Sequence, residues 1–474
     1  MAASPLLDQE DLQYLQREGT ILSAQGTSTR RIHKRRLNRS SEEEYHDVPL
    51  PSPPTTHSSP GSTTTQNFEH FIDIPEFLFS RETLTFLGLN ESASETIWSR
   101  WVNCGPEDGR EIDGGPVTFE SMARAHIYGT FTREEDASLD DDLAWRASMD
   151  SCGINEELQT AIMTPRCKDV RLTESCQFWL LDTISARYAS LKQIQAASFE
   201  RAQSARRAAS RPGGSSLLPG EQMPSRYRST SEMFYGAPSM SPMVTSAPEV
   251  RANAPGHTVL YRGGYETSIK AIFDDDGRVV DMAHLFSGRP GDFNSTKKAS
   301  YMALDFEIAN KYAYWSKVRD RSQLTVILRL EIPNSALESM DGSEKCHAYW
   351  PSQEWKELVW NCRRNKRLQH HLTKFGKATL AIGTICGKPN VVVTNLPSPA
   401  EITHQMILQG PRGDAVQYVF IDDQGVEFLE THGSSTCTVH PMTRRVVEEI
   451  ENRFATTAEI DFPGFRNLGG DLAK

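Results

Sequence analysis

Hydrophobic residues recur with helical spacing through the first half of the chain. Ile97, Trp98, Trp101 and Val102 fall on one side of a helix. The apolar positions between 178 and 194 keep the same period before a polar, Ala-rich end. The pattern predicts an all-α N-terminal domain over residues 67–205, in which we find no catalytic constellation.

Short apolar runs alternate with helical patterns in the second half. Strands are predicted at 259–262, 300–304, 324–332, 378–385, 391–393 and 416–421, and helices at 305–315, 354–367, 426–430 and 444–453. The alternation predicts a C-terminal α+β domain over residues 255–432, followed by a helix and tail over 433–474. We therefore expect a multidomain protein.

Two segments have compositions that predict unpacked chain. Residues 1–66 carry a Pro/Ser/Thr tract and one short amphipathic piece, Leu12 to Leu22, and residues 206–254 are rich in Ser, Pro, Gly and Met. Such segments bury too little apolar area to offset the entropy lost on ordering. We expect a disordered tail and a disordered linker.

Charge and cysteine usage narrow the function classes. With a net charge of -11 the chain is not expected to bind nucleic acid or anionic membranes non-specifically. No apolar run approaches the roughly 18 residues of a membrane span. The 8 cysteines include no CxxC pair, so no metal site is expected. Reduced thiols are typical of cytoplasmic or nuclear proteins, hence an intracellular location.

A basic cluster, Arg30 to Arg39, interrupts the N-terminal tail. It has the composition of a nuclear-import signal, and equally that of a solvated charge run. Both interpretations stay open at the level of sequence.

Two short motifs carry the candidate chemistry. Arg262 ends an apolar run directly before Gly263 and Gly264, where a guanidinium could meet phosphate because glycines let a ligand approach the backbone. Tyr301 lies in a second strand that leads into a helix. A cation and an aromatic face at strand ends suit a nucleotide, although a surface arginine and a core tyrosine have the same pattern.

The order of these motifs resembles the ADP-ribosyltransferase superfamily, nearest to an ADP-ribosyltransferase-like domain family of bacteria and plants without known function. The resemblance covers roughly Leu260 to Glu430. It implies a split-sheet α+β domain with NAD as substrate and no metal. Arg262 and Gly263 would bind the phosphates or ribose, and Tyr301 the nicotinamide ring.

Active members of the superfamily place a glutamate on a late strand, where its charge stabilises the oxocarbenium-like ribose. The matching strand here carries Gln417, which cannot neutralise a cation. Glu354 and Glu357, in a helix that resembles the family's Glu-Trp helix, are the substitute catalytic carboxylates. A solvated helix face is the plainer interpretation of this pair.

Two functions follow from the resemblance. One is NAD-dependent transfer of ADP-ribose to a macromolecular acceptor such as a protein, or NAD hydrolysis. The alternative is a non-catalytic interaction protein, or scaffold, built on the same fold and binding a protein partner. Both predict that Arg262, Tyr301 and Gln417 converge on one cleft. The oligomeric state stays open.

Overall fold

The computed structural model describes residues 4–23, 28–51, 70–104, 111–112, 115–131, 136–209, 254–274 and 277–457. The expectations for residues 52–66, for the linker over 210–253 and for the tail over 458–474 lie outside these described residues. Within them, no helix is both long and apolar enough to cross a membrane.

The described chain is mostly helical before residue 210, and strands largely alternate with helices after residue 254. The α-helices are α1 (Gln9–Arg17), α2 (Arg39–Glu44), α3 (Arg81–Phe86), α4 (Glu91–Cys104), α5 (Phe119–Thr130), α6 (Asp142–Ser151), α7 (Glu156–Ile162), α8 (Lys168–Arg171), α9 (Cys176–Ala209), α10 (Glu266–Lys270), α11 (Phe306–Arg319), α12 (Asn334–Ser339), α13 (Gln353–Arg363), α14 (Asn390–Asn395), α15 (Asp422–His432) and α16 (Arg444–Thr457). The strands are β1 (Ile21–Ser23), β2 (Thr29–His33), β3 (Phe71–Pro75), β4 (Glu111–Ile112), β5 (Gly115–Pro116), β6 (His257–Tyr265), β7 (Ala299–Ala303), β8 (Thr325–Pro333), β9 (Lys345–Ala348), β10 (Leu380–Thr384), β11 (Gln409–Gly410), β12 (Gly413–Asp414), β13 (Val416–Ile421) and β14 (Thr438–Pro441).

A seven-stranded mixed sheet organises the second half, in the order β14-β8-β6-β7-β13-β10-β9. Neighbouring strands are antiparallel except β9 and β10, which are parallel. The Val/Ile/Leu run of β8 is buried along most of its length, as the sequence predicts for a central strand. The fold is therefore a mixed α/β arrangement of helices around this sheet.

The sheet consists of two well-paired halves that meet at one position. β6 pairs with β8 at nine positions, and β7 pairs with β13 at five. β6 and β7 share a single pair, Tyr261 with Ala303. Gln417 is paired with Ala303 in turn, so these three side chains lie on the same face of the sheet.

The N-terminal half is not all-α, and much of its first 51 residues is folded. β1, β2 and β3 form a three-stranded antiparallel sheet. Leu6, Leu15 and Ile32 are fully buried there. The buried Asp11 carboxylate accepts hydrogen bonds from Arg201 Nη2 at 2.7 Å and from Ser198 Oγ at 2.5 Å. The expectation of a disordered tail is wrong for residues 4–23 and 28–51, because this segment completes its core against α9, far away in sequence.

The basic cluster is part of that folded segment. Arg31 pairs with Asp73 at 2.9 Å, and Arg36 pairs with Glu18 at 2.9 Å. Arg36 also pairs with Glu42 at the same distance. An import receptor that reads an extended basic segment would have to displace these ion pairs, so the import signal stays a prediction that requires local unfolding.

The helical half packs on the sheet through α11. The rings of Trp179 in α9 and Trp315 in α11 meet edge to face, with centroids 4.4 Å apart. Arg319 Nη1 donates to Asp182 Oδ2 at 2.7 Å across the same contact. Side chains of α11 belong to the hydrophobic core of the N-terminal half, so the core is continuous between the two regions.

Two expectations near the C-terminus have opposite outcomes. The apolar run at 391–393 was expected to be a strand, but it lies in the helix α14 with Val393 buried. Short apolar runs fit either element, and here Pro389 is the N-cap of a helix that begins at Asn390. The expected helix at 444–453 is confirmed as α16, and it buries Ile450.

Candidate functional site

Arg262 lies on the face of the sheet that carries Leu260, opposite to Tyr261. Its Nη1 atom donates to the Leu285 carbonyl at 2.6 Å. Burial lowers the pKa of Arg262, although an arginine stays charged. Among the described residues no carboxylate forms an ion pair with it.

Gly263 is required for packing and not for the approach of a ligand. A Cβ atom at this position would lie 1.9 Å from the carbonyl oxygen of Ala309. The backbone of α11 therefore occupies the space that the predicted phosphate would need. The cofactor-binding assignment of Gly263 is wrong, because the glycine serves close contact between helix and sheet.

Tyr301 anchors a loop with its hydroxyl group. The hydroxyl donates to Asn294 Oδ1 at 2.9 Å and accepts from the backbone N–H of Phe293 at 3.3 Å. A Cβ atom on Gly291 would lie 2.2 Å from the same oxygen. Burial raises the pKa of the Tyr301 phenol. The predicted nicotinamide-stacking ring is thus covered by the loop that precedes its own strand.

Gln417 belongs to a buried cluster of polar side chains. Its Nε2 atom donates to Asp292 Oδ2 at 2.7 Å. The same carboxylate accepts from the backbone N–H of Cys386 at 2.9 Å and from Arg363 Nε at 2.8 Å. Arg363 Nη1 donates in turn to Asn390 Oδ1 at 2.7 Å. We call Asp292, Arg363, Asn390 and Gln417 the Asp292 network.

The electrostatics of the Asp292 network are those of a closed ion pair. Asp292 is 1% exposed. Burial lowers the pKa of Arg363, but the groups around it, Asp292 first and then Cys386 and Glu174, together raise it. Each oxygen of Asp292 already accepts at least one hydrogen bond. This carboxylate therefore has no oxygen directed at an open site.

Glu354 and Glu357 lie on the outer side of α13, away from the sheet. Trp355, Leu358 and other apolar side chains of this helix pack into the core on its inner side. Glu354 pairs with Lys374 at 2.6 Å, and Glu357 contacts His371 Nε2 at 2.6 Å. A hydrogen bond from Gln353 and then the His371 contact lower the pKa of Glu357. Both carboxylates are therefore paired with basic side chains, as the interpretation of this pair as a solvated helix face predicts.

The predicted site residues do not converge on one cleft. Tyr301 and Gln417 lie on the same face of the sheet. Gln417 pairs with Ala303, and Ala303 is two residues from Tyr301 in β7, so all three side chains point to one side. Arg262 projects from the other face, because its neighbour Tyr261 is the residue paired with Ala303. The one-cleft prediction is wrong in this respect, and the residues present do not fit the NAD site that the sequence predicts.

A cavity of about 670 Å³ opens between the helical half and the segment formed by Arg289 and the start of α14. Its lining includes Arg124, Glu174, Phe178, Arg289 and Asn390. Burial raises the pKa of Glu174, while Arg363 and Arg289 act in the opposite direction. We call this space the Glu174 cavity, and within the described part of the chain no hydrogen bond or ion pair engages the Glu174 carboxylate.

Sequence reasoning missed Glu174. An acid directly before a long helix is typical of favourable interaction with the helix dipole, so Glu174 before Cys176 attracts no attention. Only the meeting of α9 with the loop at Arg289 surrounds it. Among the described residues no cluster of His, Cys, Asp and Glu is arranged to hold a metal ion.

Comparisons of this chain with protein-family models, with curated proteins and with solved structures gave no match.

Proposed function

We propose that this chain is a non-catalytic interaction protein built on an ADP-ribosyltransferase-like split sheet. The strands that carry Arg262, Tyr301 and Gln417 are consecutive neighbours in the sheet. The two halves of that sheet meet at one paired position between β6 and β7. Both features support the resemblance in fold that the motifs suggested.

The observation that carries the absence of catalysis is the engagement of Gln417. Transferase chemistry needs a carboxylate near an open ribose site on this strand. Here the amide of Gln417 is committed to Asp292, and Asp292 is committed to Arg363. The position is filled by an internal network, so no charge is available to stabilise a cationic ribose.

The other candidate carboxylates do not replace it. Glu354 and Glu357 pair with Lys374 and His371 on the outer side of α13. Trp355, from the same helix, donates its indole N–H to the Thr384 carbonyl at 3.0 Å and lies on the inner side. A helix cannot present the same residues to both sides, so the acids stay outside unless α13 rotates.

A binding role is supported by the Glu174 cavity. Its volume of about 670 Å³ lies within the range of small-ligand sites, roughly 300–1,000 Å³. The helical half supplies one wall, and Arg289 with the start of α14 supplies the other. Recognition would then depend on how the two halves meet, and the protein would respond to a ligand or partner without turning it over.

The substitution Gln417→Glu tests this proposal. If the strand were a transferase strand lacking its glutamate, the variant would gain NAD cleavage, measured as nicotinamide release by the full chain. We expect no release from wild type or variant. We also expect unfolding to become easier by about 3–5 kcal/mol, because a second buried carboxylate would face Asp292.

Gln424→Glu is the matched control, since Gln424 is exposed on α15 in the same half of the molecule. It should leave stability and NAD cleavage unchanged. Nicotinamide release by wild-type protein, or a gain of release in Gln417→Glu, would overturn the proposal.

A further inference from the structure

The Glu174 cavity combines one unengaged carboxylate with one unengaged guanidinium. Both groups line the same space, and Arg363 and then Arg289 act on the charge of Glu174. They do not form an ion pair with each other, nor does either form one elsewhere among the described residues. Glu174 is partly buried and Arg289 is exposed, so both charges are accessible to a ligand that enters the cavity.

Arg289 is held in place although its charge is free. Its carbonyl accepts a hydrogen bond from Asn294 Nδ2 at 2.7 Å, which fixes the loop. Its guanidinium carbon lies 4.0 Å from the centre of the Phe178 ring. A planar guanidinium resting on an aromatic ring presents its other face as a flat platform, a surface on which bases stack in nucleic-acid-binding proteins.

Glu174 supplies the second requirement, a side chain that can recognise one edge of a base by hydrogen bonding. An ionised carboxylate has two acceptor oxygens and no donor. It can accept hydrogen bonds from two adjacent N–H groups on one edge of a base, and it repels an edge that carries acceptor nitrogens. Among purines, guanine presents two adjacent donors on one edge, whereas adenine presents a single donor beside an acceptor.

We propose that the Glu174 cavity binds a guanine base, stacked on Arg289 and donating from its N1 and N2 positions to Glu174. Arg124 lines the same cavity, where its Nη1 atom donates to Ser185 Oγ and lies 3.9 Å from the Glu120 carboxylate, and its side chain is 37% exposed. A phosphate attached to the base would meet this cation, so the ligand class is a guanine mononucleotide. The inference is independent of the ADP-ribosyltransferase resemblance, since none of these residues belongs to its motifs.

The experiment compares guanosine 5′-monophosphate with adenosine 5′-monophosphate by isothermal titration calorimetry on the full chain. The two probes share ribose and phosphate, so a difference in affinity reports the base alone. A mildly alkaline buffer keeps Glu174 ionised. We expect the guanine nucleotide to bind roughly tenfold or more tightly, as a good bidentate contact to a base allows.

Glu174→Gln and Arg289→Lys separate the two contacts. Glu174→Gln keeps the side-chain volume but places an N–H₂ group against the base donors, so the preference for guanine should disappear. Arg289→Lys keeps the charge but removes the plane, so both nucleotides should bind several-fold more weakly. Glu156→Gln is the matched control, because Glu156 is 78% exposed on α7.

The proposal is wrong if the two nucleotides bind equally, if neither binds at millimolar concentration, or if Glu174→Gln keeps the preference. A Glu174→Gln protein that fails to fold would also contradict it, because an unengaged carboxylate should not be needed for folding. NAD cleavage is not measured in this experiment, so its outcome is distinguishable from that of the Gln417→Glu test.

Discussion

The Asp292 network and the Glu174 cavity are neighbours that differ in how their carboxylates are paired. Asn390 belongs to both, since it accepts from Arg363 and lines the cavity. In the network the carboxylate of Asp292 is fully engaged. In the cavity no described residue forms a hydrogen bond or an ion pair with the carboxylate of Glu174. The contrast separates a polar cluster that holds the fold together from one that is available to a ligand.

The difference also teaches where a functional site should be sought in this fold. A buried ion pair stabilises a particular arrangement of elements, and here it joins the loop at Asp292, α13 and β13. A charge without a partner carries a cost that only a ligand or water can offset. The sequence motifs led to Gln417 and so to the buried ion pair of Asp292. The unpaired carboxylate of Glu174 is a product of how α9 packs.

Asp292→Asn should have the largest effect on stability. The amide would lose the charge opposite Arg363 and direct an N–H₂ group at one of its three donors. We expect the free energy of unfolding to fall by about 3–5 kcal/mol, as when a buried pair loses one partner. Urea denaturation would measure it.

Asp423→Asn, at an exposed position of α15, is the control and should change stability little. If Asp292→Asn were equally mild, the Asp292 network would not be the structural cluster described above. The comparison with the Glu174 cavity would then lose its basis.

Tyr301→Phe should come next, with a loss of about 1–2 kcal/mol. The substitution removes the hydroxyl that joins Asn294 to the N–H of Phe293 and leaves those groups without this partner. Tyr349→Phe is the control, because Tyr349 is 42% exposed. A Tyr301→Phe protein of unchanged stability would mean that the hydroxyl does not anchor the loop.

The local elements were largely predictable, and the reason is the strength of their patterns. The strands expected at 324–332 and 416–421 appear as β8 and β13, and the helix expected at 354–367 appears as α13, ending earlier. Each is a Val/Ile-rich run or a one-sided apolar helix face. Pattern alone fixes such elements to within a few residues.

The candidate site was not predictable, because it depends on which face each strand presents and on what covers it. Arg262 follows Tyr261 directly in β6, and successive side chains of a strand point to opposite faces. The guanidinium therefore lies on the opposite face from Tyr301. Nothing in the motif around Gly263 reveals that α11 lies on it. The folded N-terminal segment was missed for a related reason, since its core partner α9 is remote in sequence.

Glu174→Gln should have a smaller effect, of opposite sign, that depends on pH. Burial raises the pKa of Glu174 above the ordinary 4.5, against the influence of Arg363 and Arg289 and with that of Asp292 and Asp136. The folded protein therefore binds this proton more tightly, so stability falls as pH rises from the ordinary pKa through the raised one. Glu174→Gln has no carboxylate to ionise here. Its free energy of unfolding should therefore exceed that of wild type by on the order of 1 kcal/mol at pH values above the raised pKa.

Thermal unfolding of both proteins across the acidic to neutral range would measure it. The difference between variant and wild type should grow with rising pH and then level off. A difference that is constant with pH, or a variant less stable at neutral pH, would show that Glu174 is engaged, and the contrast with Asp292 would disappear.

Glu357→Gln should have the smallest effect. Hydrogen bonds from Gln353 and His371 lower the pKa of Glu357, so its contribution is present above the ordinary pKa of 4.5 and is lost as pH falls through the lowered value. Because the pair lies at the surface, we expect a loss of no more than about 0.5 kcal/mol at neutral pH and none in acid. Urea denaturation at the two pH values would measure it, with Glu354→Gln as the control one helical turn away. A loss of several kcal/mol would place Glu357 in a buried network like that of Asp292, and the division of this half of the molecule into closed core charges and weakly paired surface charges would have to be redrawn.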